Sequence, residues 1–307
     1  MKYRRMGKTD LRVSVVGIGT WQLGGEWGKK FEQIEVDTML AKAAELGVNL
    51  IDTAECYGDH LSEELIGNAI KGERDEWIIA TKFGHGFKES FGRDMLFEPE
   101  HVQEQLEQSL RALQTDTIDL YQFHSGTDEM FDTPGLWEML QNQVEAGKVR
   151  YLGISVSKTQ GSLYQVDKAS EVEAEAIQVF YNRIHRKSEE QMFESCIRQD
   201  LGVLARVPLA SGFLSGKYSK EATFAGTDVR SVWQNEEEKR EIVEQVTRLK
   251  SEVPEGVPMA QWALAWCLQH PAVTGVIPGC KTVEQVESNA QAADLEMVKK
   301  DHPQAVS

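Results

Sequence analysis

The chain of 307 residues has only four cysteines, Cys56, Cys196, Cys267 and Cys280, and no two of them form a C-x-x-C pair. Scattered thiols build neither a disulfide framework nor a zinc signature, so no metal is expected and a reducing, cytoplasmic setting is. No apolar run approaches the ~18 residues of a membrane span, and no membrane role is expected. Met1 is followed by charged residues rather than an apolar segment, so no secretory signal is expected either. Positive charge is scarce: 33 Lys and Arg against 49 Asp and Glu leave a formal charge of −16. Neutralising nucleic-acid phosphates needs clustered cations, so nucleic acid is not an expected partner. The short basic start, Lys2, Arg4, Arg5 and Lys8, reads as the solvated face of a hairpin. The dinucleotide fingerprint G-x-G-x-x-G is also missing, because Gln22 stands where the third glycine of Gly17-Ile18-Gly19 would fall. The glycines from Gly17 to Gly25 serve either a tight turn or the approach of backbone to a ligand.

What the chain does have is a recurring unit of apolar strand, polar loop and amphipathic helix. Strands are predicted at residues 13–17, 49–52, 77–82, 118–124, 149–155, 176–181, 202–207 and 273–278. Helices are predicted at 33–46, 62–70, 99–113, 135–146, 160–169, 188–200, 235–253, 259–269 and 282–293. Pro99 suits a first helical turn, Val102, Leu106, Leu110 and Leu113 share one face, and Gly47 and Gly147 fall where helices should stop. Near-continuous apolar strands separated by helices imply parallel pairing with both sheet faces covered. Eight such units, none with the polarity of an edge strand, favour a closed (β/α)₈ TIM barrel. The expectation is one barrel domain over residues 1–307, with an N-terminal β-hairpin and a long loop after strand 7, from Pro208 to about Gln234. A loop of that length inside a compact domain is usually functional.

Three of the predicted strands end in chemistry. Asp52 closes the second, with Tyr57 on the glycine-bounded turn beyond it; Lys82 ends the third and His124 the fourth. In a barrel these C-terminal ends converge on one mouth. Alone, each has an ordinary reading: a turn-capping Asp, a loop-filling Tyr, a surface Lys, a core His. Together they suit proton donation to a carbonyl oxygen. A phenol with a pKa of about 10 is a weak acid that a nearby ammonium would strengthen. Asp52 would hold Lys82 charged, and the His124 imidazole would face the oxygen as charge develops. Trp21, Phe83, Phe87, Phe91, Trp137 and Trp233 are candidates for an apolar wall.

The stretches Gly17-Ile18-Gly19-Thr20-Trp21, Asp52-Thr53-Ala54-Glu55-Cys56-Tyr57-Gly58, the Lys82 strand and Asp119-Leu120-Tyr121-Gln122-Phe123-His124 carry a further signal. With Gly153-Ile154-Ser155, Gln178-Val179-Phe180-Tyr181-Asn182, Pro208-Leu209-Ala210-Ser211-Gly212 and Ile277-Pro278-Gly279, they make the chain resemble the aldo-keto reductase family over nearly its whole length. The pattern is closer to bacterial general-stress and inositol-associated members than to animal aldose reductases. The resemblance implies NADPH-dependent reduction of a small aldehyde or ketone, with Tyr57 as general acid and Asp52, Lys82 and His124 completing a tetrad. It implies a cofactor site using Gly19, Thr20, Trp21 and Asp52, with Ser155 and Gln178 on the carboxamide. Pro208, Leu209, Ser211, Gly212, Leu214, Gly216 and Lys217 would lie along the pyrophosphate. Gly279, Lys281, Thr282, Gln285 and Asn289 would face the adenosine end, with Lys281 on a 2′-phosphate. Two positions depart from the family pattern. Val156 stands where many members have Asn, and Arg206 stands where many have an aromatic residue on the nicotinamide. Arg206 either stacks on that ring or forms a structural ion pair.

Two rival readings lie within the same fold. One is a nucleotide-binding, redox-sensing regulatory protein with little turnover. The other is a Schiff-base aldolase using Lys82 as nucleophile.

Overall fold

The computed structural model describes residues 1–158, 163–233 and 235–306. Eight parallel strands form its centre: β1 (Ile18–Gly19), β2 (Leu50–Asp52), β3 (Ile78–Phe83), β4 (Ile118–His124), β5 (Val149–Ser155), β6 (Ala174–Phe180), β7 (Gly202–Arg206) and β8 (Gly275–Ile277). Each pairs in parallel with its sequence neighbour. The first and last meet through bridges at Val16–Val276 and Gly19–Gly279, with Gly17 N–H donating to the Val276 carbonyl at 2.9 Å. The sheet therefore closes into the expected (β/α)₈ barrel.

Strand periodicity builds two layers inside it, because residues two apart along a strand share a face. Leu50, Ala80, Leu120, Ala176 and Leu204 form a lower apolar layer with Met6, Leu11, Val13 and Ile277. Two positions further along the same strands come Asp52, Lys82, Gln122, Gln178 and Arg206. The odd-parity residues face the helices instead: Ile79, Tyr121, Ile177 and Val203 join the large core between strands and helices. On the helix side, Val102, Leu106 and Leu110 of the helix Pro99–Ala112 are buried as predicted, with Pro99 in its first turn. Truncating one of these leucines to Ala costs about 2–5 kcal/mol.

An antiparallel hairpin, Tyr3–Arg5 with Arg12–Ser14, covers the N-terminal end of the barrel. The first barrel strand thus lies later than predicted, since residues 12–14 belong to the hairpin and the barrel begins at the Val16 bridge. A Cβ on Gly19 would sit 2.7 Å from the Ile277 carbonyl oxygen, so the close approach that seals the barrel needs glycine there. Ala305–Val306 adds an unpredicted third strand to the hairpin. The helix predicted at 188–200 is broken at Met192 into Lys187–Gln191 and Phe193–Arg198. The one predicted at 160–169 begins outside the described residues and appears as Leu163–Asp167. The loop after β3 carries its own small hairpin, His85–Phe87 with Arg93–Met95.

The long loop follows β7 as expected. It opens with a 3₁₀ segment, Ala210–Ser215, and Phe213 and Leu214 pin it into a satellite core with Val243, Val246, Leu249 and Trp262. The next helix, Glu236–Leu249, starts on a capping box in which the Asn235 side chain accepts from Glu238 N–H at 2.8 Å.

Candidate active site

The upper layer of the barrel is a connected polar network. Lys82, fully buried, donates from Nζ to Asp52 Oδ1 at 2.7 Å and to the Thr53 carbonyl at 2.6 Å. Gln178 donates to the other oxygen of Asp52 at 2.6 Å, and Gln122 donates to the same oxygen at 3.3 Å. Ser155 donates to Gln178 Oε1 at 3.3 Å. Five strands, β2 to β6, thus contribute to one hydrogen-bonded layer around a buried carboxylate. A paired and multiply hydrogen-bonded charge can be held away from water where a lone one cannot.

Tyr57 stands above this layer on the loop after β2. Its position is set by backbone packing: a Cβ on Gly24 would meet the Tyr57 carbonyl carbon at 2.6 Å, and one on Gly58 would meet the Gly24 oxygen at 2.6 Å. Trp21 stacks on the Tyr57 ring at 5.7 Å, and its indole donates to Glu26 at 2.6 Å. Arg93 clamps both oxygens of that Glu26 at 2.7 Å. The Lys82 ammonium lies 5.3 Å from the centre of the Tyr57 ring, and His124 meets the ring edge-on at 6.3 Å. All four candidate catalytic residues therefore share one neighbourhood.

Burial, then the Asp52 charge, raise the Tyr57 pKa well above its ordinary value. This is opposite to the direction expected from Lys82 alone: the ammonium is engaged by Asp52 and Thr53, and loss of water dominates. The phenol is consequently kept protonated, as a proton donor must be. Burial, then the neighbouring His85, Lys82 and Arg206, push the His124 pKa well below its usual value, leaving a neutral imidazole. Burial carries the Glu55 carboxyl up to about 8, although its Oε1 accepts the His85 N–H at 2.8 Å.

The structure divides the candidate cofactor residues into several groups. Ser155 and Gln178 are spent on the buried network just described. Thr20 is buried, with both its N–H and its hydroxyl donating to the Asp52 carbonyl at 3.0 Å. Arg206 has no carboxylate partner among the described residues. It donates to the Val156 carbonyl at 3.1 Å, lies 5.5 Å from the Phe180 ring and leaves its buried Nε without a partner. Along the long loop, Pro208 is buried, Ser211 and Gly212 take left-handed backbone conformations (φ 56° and 92°), and Lys217 is exposed. Leu214 is fully buried as a core anchor. At the far rim, Lys281 donates to the Trp27 carbonyl at 2.5 Å. Its pKa is lowered by burial, and the positive charges of Arg230, Lys217 and Lys29 lower it further, against the raising effect of Asp228. Gln285 accepts the Lys281 N–H at 2.8 Å, the Thr282 hydroxyl caps the helix Val283–Gln291, and Asn289 is buried within that helix. Gly279 presses on Gln22, where a Cβ would lie 2.1 Å from Nε2.

The proposed apolar wall is only partly assembled. Phe83 and Trp137 belong to an interior aromatic cluster with Phe97, Phe123 and Phe131. Phe83 follows the inward-facing Lys82, so strand alternation turns it toward the helices. Trp21 stacks on Tyr57, and the side chain of Trp233 lies outside what is described. Sequence reasoning missed Gln122, although it shares strand parity with His124. It also missed His85, whose ring stacks on His124 at 4.2 Å, and the Trp21–Glu26–Arg93 chain.

A parallel eight-stranded barrel with titratable groups gathered at its C-terminal strand ends is an enzyme architecture. Within that class, the chain belongs to the Aldo/keto reductase family, whose profile matches residues 15–307. It is 33% identical to aldo-keto reductase YhdN of Bacillus subtilis, over 94% of this chain and 87% of that protein. It is 31% identical to the uncharacterized oxidoreductase YqkF of the same organism, over 100% and 95%. Among solved structures it is similar to the holo form of aldo-keto reductase AKR11C1 from Bacillus halodurans, with TM-score 0.81, 29% identity and coverage of 99% and 94%. Glycerol dehydrogenase AKR11B4 from Gluconobacter oxydans gives TM-score 0.79 and 29% identity, with coverage of 95% and 90%. Members of the family are oxidoreductases that generally use nicotinamide cofactors.

Proposed function

We propose that this protein is an NADPH-dependent reductase of small aldehydes or ketones, with Tyr57 as the general acid. The observation that carries the reading is the buried Lys82–Asp52–Gln178 network beneath a protonated Tyr57, with a neutral His124 at its edge. A nicotinamide cofactor, when bound, would supply the hydride to the carbonyl carbon. The chain's own residues do the rest. Tyr57 Oη gives its proton to the carbonyl oxygen as that oxygen gains charge. The Lys82 ammonium, fixed by Asp52, stabilises the phenolate left behind. The neutral His124 offers a ring N–H to orient the oxygen.

The residues present suit a phosphorylated dinucleotide. A chain of net charge −16 nevertheless brings Lys29, Lys217, Arg230 and Lys281 near one point of the rim, where Arg230 is paired with Asp228 and Lys29 with Glu35 while Lys217 and Lys281 have no carboxylate partner among the described residues. Such a patch fits an anionic group, and Lys281 is the proposed contact for a 2′-phosphate. The partnerless Nε and planar head of Arg206 fit a stacking role better than an ion pair. The rival role of Lys82 as a Schiff-base nucleophile sits poorly with its contacts, since that chemistry needs a free amine and this one is engaged by Asp52 and the Thr53 carbonyl. No described helix is long and apolar enough to cross a membrane, and four unpaired thiols suit the cytoplasm as the proposed location.

The test compares native protein with Tyr57→Phe, following NADPH oxidation over a panel of aldehydes. The Tyr57 hydroxyl has no hydrogen-bond partner among the described residues, so its loss should leave folding and NADPH binding intact. Turnover should fall by about 10²–10⁴, the usual worth of a general acid. Equal turnover in the two proteins would overturn the assignment. Tight NADPH binding without turnover of any aldehyde would favour the redox-sensing alternative.

A further inference from the structure

Cys56 and His124 sit beside the proposed chemistry, and His85 joins them from a different loop. The Cys56 sulfur lies 3.9 Å from His124 Nδ1 and 4.0 Å from His85 Nδ1. One ligand atom from each of the three side chains falls within 4.8 Å of the others. A tetrahedral zinc ion, with Zn–S near 2.3 Å and Zn–N near 2.0–2.1 Å, holds sulfur and nitrogen about 3.5 Å apart. The two sulfur–nitrogen edges are therefore within about half an ångström of a three-ligand site of mixed nitrogen and sulfur donors, and the nitrogen–nitrogen edge, within 4.8 Å, has to close toward about 3.3 Å. We propose that Cys56, His85 and His124 form a binding site for a single zinc-class divalent cation at the barrel mouth.

The surroundings of the three side chains bear on the site. The rings now stack, 4.2 Å apart and inclined by 23°, and must fan apart to place one ion in both planes. His85 has room for this movement, because it borders a cavity of about 190 Å³ that Glu55, Gly86 and Gln105 also line. Its buried Nε2 has no partner to hold it back. Finally, two of the nearby cations are already matched, Lys82 by Asp52 and Arg93 by Glu26, which leaves Arg206 as the nearby cation without a carboxylate.

The donor set is N₂S, which suits zinc and other borderline or soft divalent ions and disfavours magnesium or calcium. Binding breaks the S–H bond of Cys56 and forms a metal–sulfur bond. The proton leaves to solvent and no oxidation state changes. With three protein ligands, a fourth position stays open to water, as in open zinc sites. The cysteine pattern hides the site in the sequence, because its ligands lie 29 and 68 residues apart and come from three loops or strand ends.

The binding claim rests on geometry alone. A consequence for turnover rests on the proposed reductase reading, because the ion would remove His124 from the carbonyl oxygen. The test titrates the cofactor-free full chain with zinc chloride against a chromogenic chelator. One tight equivalent is expected. Cys56→Ala and His85→Ala should each weaken it by more than the about 10- to 100-fold that loss of an outer-sphere partner costs. Cobalt(II) should give a sulfur-to-metal charge-transfer band in the native protein and none in Cys56→Ala. Equal zinc affinity in native protein and both variants, or no such band, would overturn the site and assign the binding to surface groups. A second arm measures aldehyde reduction with and without one equivalent of zinc. Inhibition in the native protein, relieved in His85→Ala, supports the site and the reading together. Ligand-dependent binding with undiminished turnover would keep the site and refute the role given to His124.

Discussion

Replacing Lys82 by methionine tests the buried pair on which the proposed chemistry rests. The 2.7 Å contact between Nζ and Asp52 Oδ1 has a gross attraction of about 6 kcal/mol at an effective dielectric of 20. That attraction is set against several kcal/mol of desolvation for each ion, so the pair's net worth is small. Removing only the ammonium is a different matter, since Asp52 then stays 3% exposed with its charge unmatched. Gln178 and Gln122 still donate to it, but a lost partner of this kind costs about 3–5 kcal/mol. Unfolding entropy of about 2.1 cal/mol/K per residue over 307 residues makes each kcal/mol worth about 1.6 °C. Lys82→Met should therefore lower the melting temperature by about 5–8 °C. The double variant Lys82→Met with Asp52→Asn should regain most of that loss, because no unmatched charge remains. Turnover should stay near background in both. Calorimetry alongside a reduction assay reads the two effects separately. A single variant as stable as the native protein would refute the buried-pair argument. A double variant that recovers turnover would refute the catalytic one.

Two further perturbations probe other parts of the site. Glu55 has its pKa raised from 4.5 to about 8, so between those values the folded state holds a proton that the unfolded chain has released. Its contribution to stability is thus full below pH 4.5 and is lost as pH rises toward 8. Glu55→Gln should flatten this decline, gaining stability at pH 8 relative to native while changing little at pH 5, as read by urea titration at the two pH values. Lys281→Ala should weaken NADPH binding by about tenfold or more, the scale of one hydrogen bond to a charged group, and leave NADH binding nearly unchanged. Fluorescence titration with both cofactors checks this, and equal losses would remove the 2′-phosphate assignment.

Much of this site was legible because a barrel strand repeats with period two. Asp52, Lys82 and His124 declared themselves by ending apolar runs. The same parity rule also reaches Gln122 and Gln178, and it sends Phe83 outward. What parity could not reach lies on loops. His85 meets His124 only because the loop after β3 folds back as a hairpin. Glu26 finds Arg93 across 67 residues of chain. The start of the barrel was misplaced because Val13-Ser14-Val15-Val16 reads as one apolar run. Its first half pairs with the hairpin, and only its second half reaches β8. The direction of the Tyr57 shift was also invisible, since it depends on burial and on where the Lys82 ammonium is already engaged.

The hairpin has a practical meaning for handling the molecule. Met6, Leu11 and Val13 stopper the barrel at the end opposite Tyr57, and Tyr3–Arg5 lies between Arg12–Ser14 and Ala305–Val306. Both ends of the described chain therefore emerge on the stoppered face. A surface tether or fused label attached at either one would hold the protein with its rim turned outward and clear. An attachment at the exposed Lys217, on the loop after β7, would instead crowd that rim. The stopper serves as a handle, and immobilised protein held by it should keep the solution rate.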